Sequence, residues 1–183
     1  SVRMIYVFLA EGFEEVEALA PVDLLRRAKK EVQTVGVTGK VVTSSHGVPV
    51  TADLTQEELS LNGNVEMIVL PGGMPGTLNE EASEVVQNAI AFCAANDRYI
   101  GAICAAPSIL GHLGLLQGKT AVCYTGFEKD LKGAAIGTDG VVTDGKIITA
   151  RGAGVALEFG LALIAALDGQ AASDAVRASI LMD

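Results

Sequence analysis

The chain has 183 residues, half of them hydrophobic and 19% charged, a balance that excludes disorder and lets one domain bury a sizeable core. Thirteen basic against 22 acidic side chains give a net charge of −9, which leaves no electrostatic footprint for nucleic acid or an anionic membrane. A membrane span needs about 18 consecutive apolar residues, and no stretch supplies them. The longest uncharged run, Gly101–Gly118, carries Pro107, His112 and Gln117, and Gly152–Leu167 is broken by Glu158.

Apolar Ile5–Leu9 is too short for the hydrophobic region of a secretory signal. The three cysteines, Cys93, Cys104 and Cys123, form no CxxC pair, which argues against a disulfide framework or structural zinc and for a reducing compartment. The expectation is a single cytoplasmic domain spanning 1–183.

In chain order, the β-branched and aromatic run Met4–Ala10 predicts a buried strand. Glu14–Lys30 has helical periodicity, with acids in its first turn and Arg26, Arg27, Lys29 and Lys30 at its end, as the helix dipole favours. Val32–Val37 predicts a second strand, and Val41–Thr43 with Val48–Thr51 a small hairpin. Met67–Leu70 is a third core strand, stopped by Pro71-Gly72-Gly73. Apolar positions 82, 85, 86, 89, 90 and 93 predict one helix over Asn79–Ala95.

Tyr99–Ile103 follows as a strand, and Pro107 marks a helix start. Thr120–Tyr124 predicts another strand. Val141–Thr143 and Lys146–Thr149, joined by Asp144-Gly145, read as a hairpin. Helices over Val155–Leu167 and Ala171–Leu181 close the chain. Such alternation, with strands apolar on both faces, predicts an open, mostly parallel sheet between helix layers. Folds of this kind bind ligands beyond the carboxyl ends of their strands.

Three strand ends therefore matter. Cys104 stands at a strand-to-helix junction among small residues, the layout of a nucleophile elbow. The helix amino end behind it is expected to lower the thiol pKa. An inert cysteine filling a core gap is the plainer alternative, and Cys93 and Cys123, on a helix stripe and within a strand, take that role.

Glu17 is the odd carboxylate of its helix, because Ala20, Pro21, Leu24 and Ala28 share its face. A carboxylate aimed at a core is costly unless protonated or paired, which suits a proton carrier or thiol partner. Gly72-Gly73 is either a plain turn or a pair of backbone N–H groups open to an oxyanion. Arg151-Gly152-Ala153-Gly154 follows a strand but is no dinucleotide fingerprint, since Leu157 stands where the last glycine belongs. His112, eight residues past Cys104, lies about 12 Å along a helix axis from it and is a poor base. His46 sits in a hairpin turn, solvated or covering a pocket.

Read together, AEGFEEVEALAPVDLLRRA, VLPGG, AICAAP and TARGAG resemble the ThiJ/PfpI (DJ) superfamily, in the branch of the Parkinson-associated protein deglycase and its bacterial homologues. The resemblance runs through essentially the whole chain. It implies a flavodoxin-like three-layer α/β sandwich that forms a homodimer. It further implies that Cys104 is the reactive cysteine and Glu17 a protonated acid bonded to it. Gly72, Gly73 and Ala105 would supply oxyanion-type amides, and Arg27 would lie near the dimer contact.

Four departures stand out. Ala105 replaces the histidine that protease- and amidase-like relatives carry after the nucleophile. No downstream His-Glu pair of the amidotransferase kind is present. His46 stands where the human-type protein has an arginine, and Cys123–Phe127 lacks the histidine of some members.

Two functions fit these residues. One is a cofactor-free glyoxalase or deglycase, in which Cys104 adds to a small 2-oxoaldehyde of the methylglyoxal class, or acts on a glycated substrate, and Glu17 moves the proton. The other is a redox-responsive protective protein or chaperone that works through oxidation of Cys104. A flavin carrier is disfavoured by the lack of Trp and of a Ser/Thr-rich phosphate loop after the first strand.

Overall fold

Strand β1 (Met4–Leu9) shows the logic of the molecule in six residues. Tyr6 and Phe8 point into one hydrophobic core, while Ile5, Val7 and Leu9 point into another on the opposite face. The period of two that defines a strand thus feeds both faces of one sheet. In the computed structural model, which describes residues 2–183, β1 is an interior strand of a seven-stranded sheet.

The other six are β2 (Glu31–Gly36), β5 (Leu54–Thr55), β6 (Val65–Leu70), β7 (Tyr99–Ile103), β10 (Val141–Asp144) and β11 (Ile147–Ala150). The order across the sheet is β10-β11-β7-β6-β1-β2-β5. All pairings are parallel except the edge hairpin β10–β11, whose Asp144-Gly145 turn was legible in the sequence. Two further pairs stand apart: the hairpin β3 (Val41–Thr43) with β4 (Pro49–Thr51), and the short parallel pair β8 (Thr120–Ala121) with β9 (Ala135–Ile136).

Helices α1 (Glu15–Arg27), α5 (Ala156–Asp168) and α6 (Gln170–Ser179) cover one face, with Leu24, Leu25, Phe159 and Val176 in its core. Helices α1 and α5 pack closely because Gly160 has no side chain; a Cβ there would lie 2.6 Å from Leu24 Cδ1. Helix α3 (Glu84–Ala95) and the short α4 (Pro107–His112) cover the other face with Val86, Ile90, Ile109 and Leu110. This is the expected α/β sandwich of helices around a mostly parallel sheet. No helix among the described residues is long and apolar enough to cross a membrane.

Two expected elements differ. The helix anticipated over Asn79–Ala95 is two, α2 (Gly76–Ala82) and α3, divided at Ser83. Ser83 has extended backbone and its side chain accepts from the Val86 N–H, so it caps a new helix instead of continuing the old one. The strand expected over Thr120–Tyr124 ends after Ala121. Beyond it, Val122 N–H donates to Thr149 Oγ1 and Tyr124 N–H to the Cys104 carbonyl, so tertiary partners replace the ladder. Cys123 accordingly lies in a buried loop and not in a strand.

The chain runs from β1 outward to β2 and then returns to place β6 on the other side of β1. That reversal is the topological switch point at which α/β sheets open a crevice. Glu17 follows β1, Gly72 follows β6 and Cys104 follows β7, so all three arrive at the same edge.

Candidate active site

Glu14 builds the first wall. Its carboxylate caps α1 by accepting from Val16 N at 2.6 Å and Glu17 N at 3.1 Å. Glu17 then sits in the first turn facing inward and is 1% exposed. Pro21, four residues on, has no N–H to offer the Glu17 carbonyl, which frees one ladder bond at this turn.

The loops after β1 and β6 interlock. Glu14 N donates to the Gly72 carbonyl at 3.0 Å, and Gly76 N to the Gly12 carbonyl at 3.1 Å. Gly73 turns between them with φ +91°, and a Cβ there would fall 2.6 Å from Glu14 N. Only glycine fits such a crossing.

Cys104 occupies the turn from β7 to α4 with φ +67°, a left-handed conformation that costs a non-glycine residue about 1–2 kcal/mol. Two backbone bonds hold it there: Cys104 N–H to Ala150 O at 2.9 Å, and Tyr124 N–H to Cys104 O at 2.8 Å. The result is the elbow expected from sequence. Its Sγ meets the Glu17 carboxyl and the N–H groups of Gly73 and Ala105.

Gly72 acts differently from expectation. Its N–H donates to Glu17 Oε1 at 3.0 Å, so it orients the acid and does not face the sulfur. The Ala153 N–H also lies near the Glu17 carboxyl and lowers its pKa, a neighbour that sequence reasoning missed. A Cβ on Gly72 would sit 2.6 Å from Cys104 Cβ and 2.7 Å from Glu17 Oε1, so the position must stay bare.

Burial pushes Glu17 up to about 7, against the bond to Cys104 and with the help of the Glu14 charge. Burial, and then the charge of Glu17, push the Cys104 thiol up to about 12. That corrects the expectation of a thiol lowered by the helix amino end. Helix α4 is six residues long, and its dipole does not offset desolvation beside an acid. The pair shares one proton after its first ionisation, near neutrality, and the second leaves only in alkali.

Cys93 and Cys123 are buried and inert, raised to about 12 and about 11 chiefly by burial. His112 bonds to Glu81 at 2.6 Å and Asp130 at 2.9 Å, engaged away from the thiol. His46 lies 2.8 Å from Glu15 Oε1 at the amino end of α1. With Glu14 these two form the one grouping of metal-ligand type among the described residues, but Glu14 already caps the helix and the imidazole is exposed. Arg27 is exposed on α1 and pairs with Asp23 at 2.7 Å.

Glu80, which sequence reasoning passed over, is buried on α2 with neither oxygen hydrogen-bonded. Burial first, and the Glu17 charge second, hold its carboxyl well above the usual range, so it is neutral.

A strained cysteine, a buried acid and converging amides at the switch point define a class of cysteine-elbow α/β protein. The DJ-1/PfpI family model matches residues 3–166, and the chain belongs to that family. DJ-1 homolog B of Arabidopsis thaliana is 32% identical across 100% of this chain and 42% of its own length, so the chain spans less than half of that relative. The structure of oxidized DJ-1 from Toxoplasma gondii superposes with a TM-score of 0.93 at 34% identity, covering 99% of both chains. More distant relatives include a protein named deglycase from Pyrococcus abyssi, 30% identical over 80% of this chain and 89% of its own. Another is a glutathione-independent glyoxalase of Caenorhabditis elegans, 29% identical over 87% of this chain and 85% of its own.

Proposed function

We propose that the chain converts small 2-oxoaldehydes of the methylglyoxal class to 2-hydroxy acids, with Cys104 as nucleophile and Glu17 as acid and base, and no cofactor in the route. The observation that carries this reading is a buried carboxyl, 1% exposed, set against the elbow cysteine across bare Gly72, where burial pushes it up to about 7. An acid half-ionised near neutrality both takes and returns protons, as general acid–base work requires.

Ionised Glu17 takes the thiol proton as Sγ bonds to the aldehyde carbon, so no resting thiolate is needed. The carbonyl electrons pass to oxygen, where the Gly73 and Ala105 N–H groups stabilise the charge. Glu17 then protonates that oxygen to give a hemithioacetal. It next removes the hydrogen from C1 as a proton, giving an enediolate, and returns it to C2 while the C1 hydroxyl proton passes to the C2 oxygen, leaving a 2-hydroxy thioester on Cys104. Water cleaves the thioester, releasing the acid and restoring the thiol. The names of the two distant relatives support this chemistry. Rapid acid quenching with methylglyoxal tests it: the Cys104 peptide should carry one added methylglyoxal unit, and a protein modified only at lysine and arginine would contradict it.

Cys104 is only partly buried whereas Cys93 and Cys123 are buried, which favours a second reading. In it, peroxide oxidises Cys104 to a sulfinate held by Glu17 and the same amides, and the output is protective and not catalytic.

A further inference from the structure

Beside the elbow lies an open cavity of about 480 Å³, within the range of small-ligand sites. Two backbone links tie it to the elbow. Tyr124 N–H bonds to the Cys104 carbonyl, and Cys104 N–H bonds to Ala150, next to Arg151. The Ala153 N–H lies near the Glu17 carboxyl. Tyr124, Arg151 and Ala153 all line the cavity. The cavity thus adjoins the Cys104 site through the chain segment after β11, with Cys104 and Glu17 themselves outside its lining.

Its chemistry differs from the rest of the surface. The protein is acidic overall, yet this cavity has an arginine and no Asp or Glu in its lining. Arg151 makes no ion pair among the described residues, and its one side-chain bond, 3.1 Å from Nη2, goes to the neutral Thr125 hydroxyl. Glu128 lines a neighbouring cavity together with Arg151 and feels its charge, but makes no ion pair with it. The guanidinium keeps free donors in a fork that suits a carboxylate. Tyr124, 53% exposed, and Val155 supply apolar wall beside that charge.

We infer that this cavity is a subsite for the anionic tail of the substrate, with Arg151 selecting 2-oxoaldehydes that carry a carboxylate a few carbons from the aldehyde. The inference rests on the glyoxalase reading and deepens it. Arg151 touches the tail and not the reacting carbons, so it sets specificity and leaves the chemistry to Cys104 and Glu17.

The test compares 4,5-dioxopentanoate, its methyl ester and methylglyoxal on wild type and Arg151→Gln. Wild type should prefer the acid over the ester by about tenfold in kcat/KM, the size expected for one partly solvated charge-assisted bond. Arg151→Gln should abolish that preference through KM while the ester and methylglyoxal keep their wild-type rates. Equal rates for acid and ester in wild type, or an equal loss on all three compounds in the variant, would overturn the inference. Calorimetric binding of the unreactive acid 4-oxopentanoate separates the two claims. Binding lost in Arg151→Gln upholds the subsite even where no aldehyde is turned over, and no binding to wild type rejects it.

Discussion

Glu17 and Cys104 face each other across Gly72, whose missing Cβ would lie 2.7 Å from Glu17 Oε1 and 2.6 Å from Cys104 Cβ, although they come from different strand–helix units, α1 after β1 and the elbow after β7. Burial holds both acids above their ordinary values, and the two do not ionise together near neutrality. Activity should accordingly rise with pH through about 7, as Glu17 becomes able to accept the thiol proton. In Glu17→Gln that limb should vanish. The thiol should then titrate below its wild-type value of about 12, because the adjacent charge is gone. Ultraviolet thiolate absorbance against pH reads this directly, and an unmoved thiol titration would show that the pair is not coupled.

Gly72 tolerates no side chain, since a Cβ would lie 2.6 Å from the Cys104 Cβ and 2.8 Å from the Ile103 carbonyl. Gly72→Ala should lower stability by about 1–3 kcal/mol, the usual cost of overpacking. It should also cut turnover far more than that loss of folded protein explains. Denaturant melts paired with assays under folding conditions distinguish the two effects, and full activity in a folded variant would refute the stated geometry.

Glu80 should be a liability for stability. The unfolded chain releases its proton near 4.5, whereas the folded chain retains it. The native state therefore binds more protons above that value, and stability falls as pH rises, by at most about 1.4 kcal/mol per pH unit for one proton. Glu17 adds a fall of the same sign between 4.5 and about 7. Glu80→Leu removes an unsatisfied buried carboxyl and should stabilise by about 1–3 kcal/mol, more at about pH 8 than at about pH 4. A melting temperature that drops, or a gain independent of pH, would contradict this.

Val16 and Leu19 are exposed apolar residues on the α1 stripe that continues to Asp23 and Arg27. A homodimer through this face is expected, with Arg27 at its edge. Sedimentation equilibrium should give twice the chain mass for wild type and a single-chain mass for Leu19→Glu. A monomeric wild type would remove the partner chain from any account of the site.

The sheet and the elbow were legible because each depends on local pattern. Six apolar residues of β1 and the small residues around Cys104 carry their own signal. Glu17 was legible for the same reason, as a carboxylate on an otherwise apolar helix face. What the pattern could not show was tertiary. The apolar spacing over 79–95 runs on past Ser83, and only the Ser83-to-Val86 cap reveals the break.

Gly72 carries no mark of which acceptor its amide finds, and Glu17 was that acceptor. Glu80 reads as an ordinary first-turn acid of the helix anticipated there. It is buried because α2 begins earlier, at Gly76, and turns the Gly76, Thr77 and Glu80 face inward. The thiol pKa was misjudged because desolvation depends on how deeply neighbours cover the sulfur, which spacing does not encode.

Methylglyoxal turnover without glutathione, measured for wild type, Cys104→Ser and Glu17→Gln, tests the central claim most directly. The account predicts saturable lactate formation by wild type, none above background in Cys104→Ser, and a loss of about 10²–10⁴-fold in Glu17→Gln. Wild-type turnover no faster than that of a free thiol, with Cys104 still reacting rapidly with peroxide, would contradict it and leave the oxidation-responsive reading in its place.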